Sequence, residues 1–194
     1  MSTIIQPTIS SGSQAWQIDP AHTSVEFSVK HLMIAKVRGR FAEVTGTLQG
    51  DLAEPQAFRL QVDIATKSID TRQEQRDAHL RSADFFDTDK WPAIRFVGKR
   101  IVGDVNEDFK LTGDLTIRDV TREIVLDVTS EGAATDPWGG SRLGFSATGR
   151  IDRRDFGLTW NQALEAGGVA VGHEVTISVD AELTAVVGES AYAA

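Results

Sequence analysis

Few residue types in this chain could carry catalysis. There is no cysteine in its 194 residues, which removes thiolate chemistry, disulfides and zinc–sulfur sites. Four histidines are present: His22, His31, His79 and His173. None forms an HExxH or an i, i+4 pair, and His22 and His31 fall on opposite sides of a regular strand, so no metal site is expected. The serine in Gly144-Phe145-Ser146-Ala147-Thr148 lacks the closing glycine of a nucleophile elbow. Asp155-Phe156-Gly157 resembles a kinase metal triplet, but the glycine loop and catalytic loop of a kinase are missing. It reads instead as a tight turn, with Phe156 packed and Gly157 in an unusual backbone conformation. Asp84, Asp87 and Asp89 read as a solvated loop.

The segment Arg76-Asp77-Ala78-His79-Leu80 is more informative. On a helix Arg76 and His79 share a face at i, i+3, and Asp77 can meet Arg81 at i, i+4. This is either a solvated face that pins the helix or the polar rim of a pocket. Phe85, Phe86 and Trp91 follow, to plug a barrel end or to line a pocket wall.

The elements that must position these groups are strands. Val25, Phe27 and Val29 alternate with Glu26, Ser28 and Lys30. The same period recurs at Phe58–Ile64, Phe109–Ile117, Ile124–Val128, Leu143–Ala147 and Val175–Leu183. Period two means one dry face and one wet face. Strands are expected at Ala15–Ile18, Thr23–His31, Ala35–Leu48, Phe58–Ile69, Ile94–Val102, Phe109–Ile117, Arg122–Ser130, Ser141–Asp152 and Glu174–Val187. Gly39, Gly46 and Gly50 would allow bends. Thr71 and Glu74 fit a capping box opening a helix over Arg72–Arg81. Asp136–Gly140 reads as a turn, and Asp155–Gly172 as a long loop of the kind that forms lids. The expected fold is all-β: an antiparallel, lipocalin-like barrel of about eight strands with one short helix inserted. A sandwich would give nearly the same pattern, and pattern alone does not say whether the interior is filled.

Composition sets outer limits. Apolar residues make up 41% and charged residues 25%, ordinary for one soluble domain. No run is long and apolar enough to span a bilayer. The net charge of −8 disfavours nucleic acid and anionic headgroups, and Lys36, Arg38 and Arg40, interleaved with Val37 and Gly39, read as one solvated strand rather than a basic patch. Residues 1–14 read as a disordered leader rather than a secretory signal, 15–188 as the barrel and 189–194 as a flexible tail, which places the protein in the cytoplasm.

A set of short motifs in fixed order resembles the YceI-like family of bacterial polyisoprenoid-binding proteins. They are Trp16-Gln17-Ile18-Asp19-Pro20-Ala21-His22-Thr23, Phe27-Ser28-Val29-Lys30-His31, Gly39-Arg40-Phe41 and Ser68-Ile69-Asp70-Thr71. Arg76-Asp77-Ala78-His79-Leu80, Ala83-Asp84-Phe85-Phe86-Asp87, Pro92-Ala93-Ile94-Arg95-Phe96, Gly113-Asp114-Leu115-Thr116-Ile117 and Arg154-Asp155-Phe156-Gly157-Leu158 complete it. The resemblance implies a homodimeric, lipocalin-like barrel with an apolar tunnel for long-chain amphiphiles such as polyisoprenoids or isoprenoid quinones, without a cofactor and without catalysis. On that reading Val25, Phe27, Val29, Phe41, Val62, Ile64, Phe85, Phe96, Leu115, Ile117 and Phe145 line the tunnel. His22, Arg76, His79 and Arg153 form its polar mouth. Many members have glycine where this chain has Asp119; aspartate tolerates a left-handed turn, so the hairpin is expected to survive. Two alternatives stay open: an enzyme acting on such a lipid through His79 or His22, and a filled barrel serving as a scaffold.

Overall fold

The structure, a computed structural model, describes residues 14–50, 57–163 and 169–186. The expected leader over 1–14 lies outside these except for Gln14, and the tail over 189–194 lies outside them entirely. The strands are β1 (Gln14–Ile18), β2 (Ser24–His31), β3 (Ala35–Phe41), β4 (Val44–Gly50), β5 (Arg59–Ala65), β6 (Ile69–Asp70), β7 (Ala93–Gly103), β8 (Asp108–Ile117), β9 (Val120–Thr135), β10 (Ser141–Asp152) and β11 (Val171–Ala185). One helix, α1 (Glu74–Arg81), follows β6.

Every pairing is antiparallel. The order β1-β4-β5-β7-β8-β9-β10-β11 closes on itself because β11 also pairs with β1. This is a closed eight-stranded barrel. Closure is what a set of one-sided strands requires, since it buries every apolar face and removes the sheet edges. β2, β3 and β6 extend the sheet beyond β11. β11 is shared along its length: Val171–Asp180 face β2, and Leu183–Ala185 face β1.

Three elements depart from the sequence reading. The expected strand Ala35–Leu48 is two strands, broken at Ala42 and Glu43. There the Ala42 N–H donates to the Ser68 carbonyl, and the Glu43 N–H donates to Ser68 Oγ at 3.1 Å. The break sends β3 to β6 and β4 to β5. The expected strand Phe58–Ile69 stops at Ala65, where a 3₁₀ turn (Thr66–Ser68) intervenes and Thr66 Oγ1 donates to the Trp91 carbonyl at 2.8 Å. The helix starts at Glu74 rather than Arg72, because its cap is Gln73, whose side chain accepts from the Arg76 N–H. Thr71 is not the cap: its hydroxyl and N–H both donate to buried Asp77. Nor does Asp77 meet Arg81, which donates to the carbonyls of Lys67 and Ile69. The carboxylate needed to satisfy the Thr71 donors is therefore turned into the fold; Arg76 is drawn to Thr71, after β6, and Arg81 to Lys67 and Ile69 at the β5–β6 connection.

The β8–β9 hairpin survives, but the left-handed residue is Arg118 (φ 57°) rather than Asp119. Asp136–Gly140 forms the expected turn, with Asp136 and Gly140 hydrogen-bonded. A 3₁₀ turn at Arg153–Phe156 ends β10; Phe156 is fully buried and Gly157 is left-handed at φ 74°, as expected. Among the described residues no helix is long and apolar enough to cross a membrane.

Candidate functional site

The barrel interior is not filled. It encloses a cavity of about 790 Å³, within the usual range for ligand sites. The wall follows from strand alternation. Val25, Phe27 and Val29 of β2 meet Phe41 of β3, Val62 and Ile64 of β5, Phe96 of β7, Leu115 and Ile117 of β8, and Phe145 of β10 across this space. At one end Trp16, Phe58, Ile101, Phe109, Leu143 and Leu183 belong to the buried core. Glycine contributes where rings lie across a neighbouring backbone. A Cβ at Gly39 would fall 2.5 Å from Phe27 Cζ, and one at Gly113 would fall 2.3 Å from Phe96 Cζ. Gly39 is thus a close-approach position rather than a bend.

Polar groups gather at the other end. Lys30 and His31 come from the end of β2; Gln73 from the cap of α1 and Gln75, Arg76 and His79 from α1 itself; and Trp160 and Gln162 from the loop after Gly157. Phe85 and Phe86 lie beside them, with Phe86 edge-on to Phe41 at 5.7 Å. The position of α1 is set by buried and half-buried hydrogen bonds. Arg76 donates through Nε to Thr71 Oγ1 at 2.6 Å and through Nη2 to the Thr71 carbonyl at 2.7 Å, while Thr71 in turn donates to Asp77.

His79 sits in an aromatic corner, edge-on to Trp160 at 4.6 Å and to Phe85 at 5.1 Å. Its Nε2 lies 3.0 Å from Asp84 Oδ2. This is a histidine–carboxylate pair, but the side chains are 37% and 54% exposed, so it stands at the rim in contact with water. Arg153 is buried, and burial pushes its pKa down. Its guanidinium donates to the carbonyls of Gly172 (2.9 Å), Trp160 (2.9 Å), Val171 (3.3 Å) and Leu158. It clasps the loop after Gly157 onto the start of β11, and its donors are committed there. Beside it, the Arg154 guanidinium holds the Asp152 carboxyl down at about 2.

Of the sequence candidates, the structure places Val25, Phe27, Val29, Phe41, Val62, Ile64, Phe85, Phe96, Leu115, Ile117, Phe145, Arg76, His79 and Arg153 on the cavity. His22 is elsewhere. It lies in the connection between β1 and β2, exposed, with Nδ1 3.0 Å from Asp19 Oδ2 and 3.9 Å from Glu182 Oε1. Arg142 Nη1 donates to both carboxylates at 2.7 Å, and Nη2 reaches Asp136 at 3.0 Å. Asp19, His22 and Glu182 are close enough to share a cation, but the guanidinium already bridges the two acids. The hydrogen bond from His22 helps hold Asp19 down at about 2, and the carboxylates raise the pKa of His22.

That shift has a defined sign. A histidine pKa raised in the folded state adds stability that is fully present below about pH 6.5 and is lost as pH rises through the higher folded value. The Tm difference between wild type and His22→Asn should therefore be larger in mildly acidic than in alkaline buffer. Equal differences on the two sides would show that the imidazole is uncoupled from Asp19 and Glu182.

Trp160, Gln73, Gln75 and Gln162 were not identified from sequence. The long loop has no hydrophobic period, so its sequence carries no information about which side chain turns inward.

Comparison with known proteins agrees with this architecture. The YceI-like domain family model matches residues 16–183. A UPF0312 protein of Staphylococcus aureus strain MSSA476 is 40% identical over 167 residues, covering 86% of this chain and 95% of the relative. A Campylobacter jejuni YceI protein of known structure is 33% identical, with TM-score 0.67 over 80% of this chain and 88% of that one. Burkholderia cenocepacia BcnA shares the fold at TM-score 0.73 and 21% identity, over 85% of this chain and 98% of its own. A Saccharophagus degradans protein described as a polyisoprenoid binding domain shares it at TM-score 0.68 and 15% identity, over 89% and 99% of the two chains. With its alternating strands closed around an apolar cavity and the family pattern running from β1 to the end of β11, the chain belongs to the YceI-like family.

Proposed function

We propose that this protein is a non-enzymatic carrier that binds a long-chain amphiphile, a polyisoprenoid or an isoprenoid quinone, with the chain inside the barrel and the head at the α1 end. The observation that carries this reading is the distribution of polarity: a cavity of about 790 Å³ whose strand wall is hydrocarbon apart from Thr23 and Glu26, with Lys30, His31, Arg76 and His79 gathered towards one end. Such a site rewards length. Each buried CH₂-sized unit is worth ~0.8 kcal/mol, and the gross gain for a long chain is limited by the cost of ordering it. Selection then falls on chain length and shape, while Gln73, Gln75, Arg76 and His79 provide a small polar seat for a head group. The polyisoprenoid-binding description of the Saccharophagus degradans relative supports the same ligand class. The exposed His79–Asp84 pair lacks the water exclusion that acid–base chemistry on a lipid would use. We take the carrier to act as a homodimer, a state that light scattering measures directly.

Native mass spectrometry of the purified protein, followed by solvent extraction and identification of released material, tests the proposal. A stoichiometric adduct of polyprenyl or quinone mass is expected. A clean unliganded mass that does not change on adding isoprenoid quinones or polyprenyl alcohols would overturn it.

A further inference from the structure

The hairpin joining β2 to β3 breaks local rules without any internal compensation. The Ile34 N–H donates to the His31 carbonyl at 3.2 Å, closing a turn whose central residues are Leu32 (φ 49°) and Met33 (φ 62°). Two left-handed residues in succession favour Asn and Gly, which tolerate positive φ. Leucine and methionine are poor choices there, since a Cβ disfavours positive φ. They do not gain a core contact in exchange: Leu32 is 38% exposed, Met33 51% and Ile34 87%.

The strands behind the tip are as unusual. Lys30 lies directly opposite Lys36, a like-charge cross-strand pair, and Arg38 lies one step further back. From Ser28 to Ala42 the chain has two lysines, two arginines and a histidine, and no acid, although the whole protein carries −8. Only Arg40 is paired, with Asp70 at 3.2 Å; Lys30, Lys36 and Arg38 make no ion pair with another described residue. Lys30 and His31 also border the open end of the cavity, and the Leu32 N–H donates to the Ala170 carbonyl at 2.8 Å, tying the hairpin to the residues just before β11.

We infer that this hairpin is a membrane-docking element that seats the open end of the barrel on an anionic lipid bilayer. Leu32, Met33 and Ile34 enter the boundary between headgroups and acyl chains, and Lys30, Lys36 and Arg38 meet the lipid phosphates. An apolar tip flanked by bases suits such an interface. The overall negative charge does not prevent this, because charges beyond about 8–10 Å are largely screened at physiological salt. The cavity mouth then faces the hydrocarbon, so a lipid can pass between bilayer and barrel without crossing water. The docking step itself does not depend on which ligand the cavity holds.

Vesicle flotation tests the assignment. The probes are phosphatidylcholine vesicles with and without phosphatidylglycerol, free of isoprenoids, so that the result is independent of the cargo. Each base near the surface strengthens attraction by about fivefold, so binding should favour the anionic vesicles by tenfold or more and should fall with added salt. The variant Leu32→Asn/Met33→Gly installs residues that tolerate positive φ and removes the apolar tip; it should fold at least as stably, judged by Tm, and lose about tenfold or more in vesicle binding. Ile34→Asp should do the same. Wild type that floats with neither vesicle, or a double variant that floats as well as wild type, would overturn the inference. So would a hairpin-dependent dimer, seen by light scattering, that leaves vesicles unbound.

Discussion

Arg153→Leu is expected to lower the stability of the fold by about 2–4 kcal/mol, a Tm decrease of about 5–15 °C for a domain of this size. Arg153 is buried and donates to four backbone carbonyls from two segments, Leu158 and Trp160 on one side, Val171 and Gly172 on the other. Leucine keeps the apolar stem but leaves those acceptors without donors, and each buried unpaired group costs about 1–3 kcal/mol. Part of the loss is offset because the desolvated cation is also removed, which is why the cost stays below the simple sum. Function should respond too. The clasp holds Trp160 against His79 at the cavity mouth, so releasing it should speed ligand dissociation more than it slows entry. Arg153→Lys should fall between, because an ammonium cannot reproduce the planar fork that spans both segments. Thermal unfolding and ligand off-rates measured on the same preparations check both effects. An unchanged Tm in Arg153→Leu would mean that water serves these carbonyls and that the loop is held by other contacts.

A second large effect is expected from filling the cavity. Val62→Trp, on β5 beside Phe96 of β7, projects an indole into the open volume. In a filled core this enlargement would cost about 1–3 kcal/mol through overpacking. Here the ring enters vacant space, so stability should change by less than ~1 kcal/mol while occupancy by a long-chain lipid falls about tenfold or more. Phe27→Trp should act in the same direction from the opposite wall, where the ring lies 5.7 Å from Phe41. Long chains should suffer more than short ones, because the block shortens the path available to them. The check is competition with a fluorescent lipid alongside thermal unfolding. Loss of stability with unaltered lipid binding would point to a tightly packed interior and a ligand held elsewhere.

The anatomy also explains how the mouth is positioned. α1 and its cap bring Gln73, Gln75, Arg76 and His79 to the rim because the buried side of the helix rests on a polar chain, from Arg76 to Thr71 to Asp77, rather than on an apolar stripe. A helix held this way needs little hydrophobic patterning of its own, and for that reason its amphipathic signal is faint in the sequence. At the far end, Arg142 ties β10 to β11, to the β1–β2 connection and to the β9–β10 turn through Glu182, Asp19 and Asp136.

Inward and outward faces were legible from sequence alone, because the period of two is a property of the extended backbone itself. Phe27, Val62, Phe96, Leu115 and Phe145 reach the cavity for that reason, and the all-β fold with one inserted helix follows from the same local pattern. Where the period is interrupted, sequence lost the direction of the side chain. His22 follows the end of β1, and its partner Glu182 is 160 residues away, so its position outside the barrel depended on how β11 meets both β1 and β2. The split of Ala35–Leu48 rests on Ser68, in the 3₁₀ turn after β5, accepting hydrogen bonds from Ala42 and Glu43, and the roles of Asp77 and Arg153 rest on which donors and acceptors surround them once folded. Only tertiary structure could decide whether the interior is filled or hollow, since that depends on how far apart eight tilted strands hold side chains that look alike in either case.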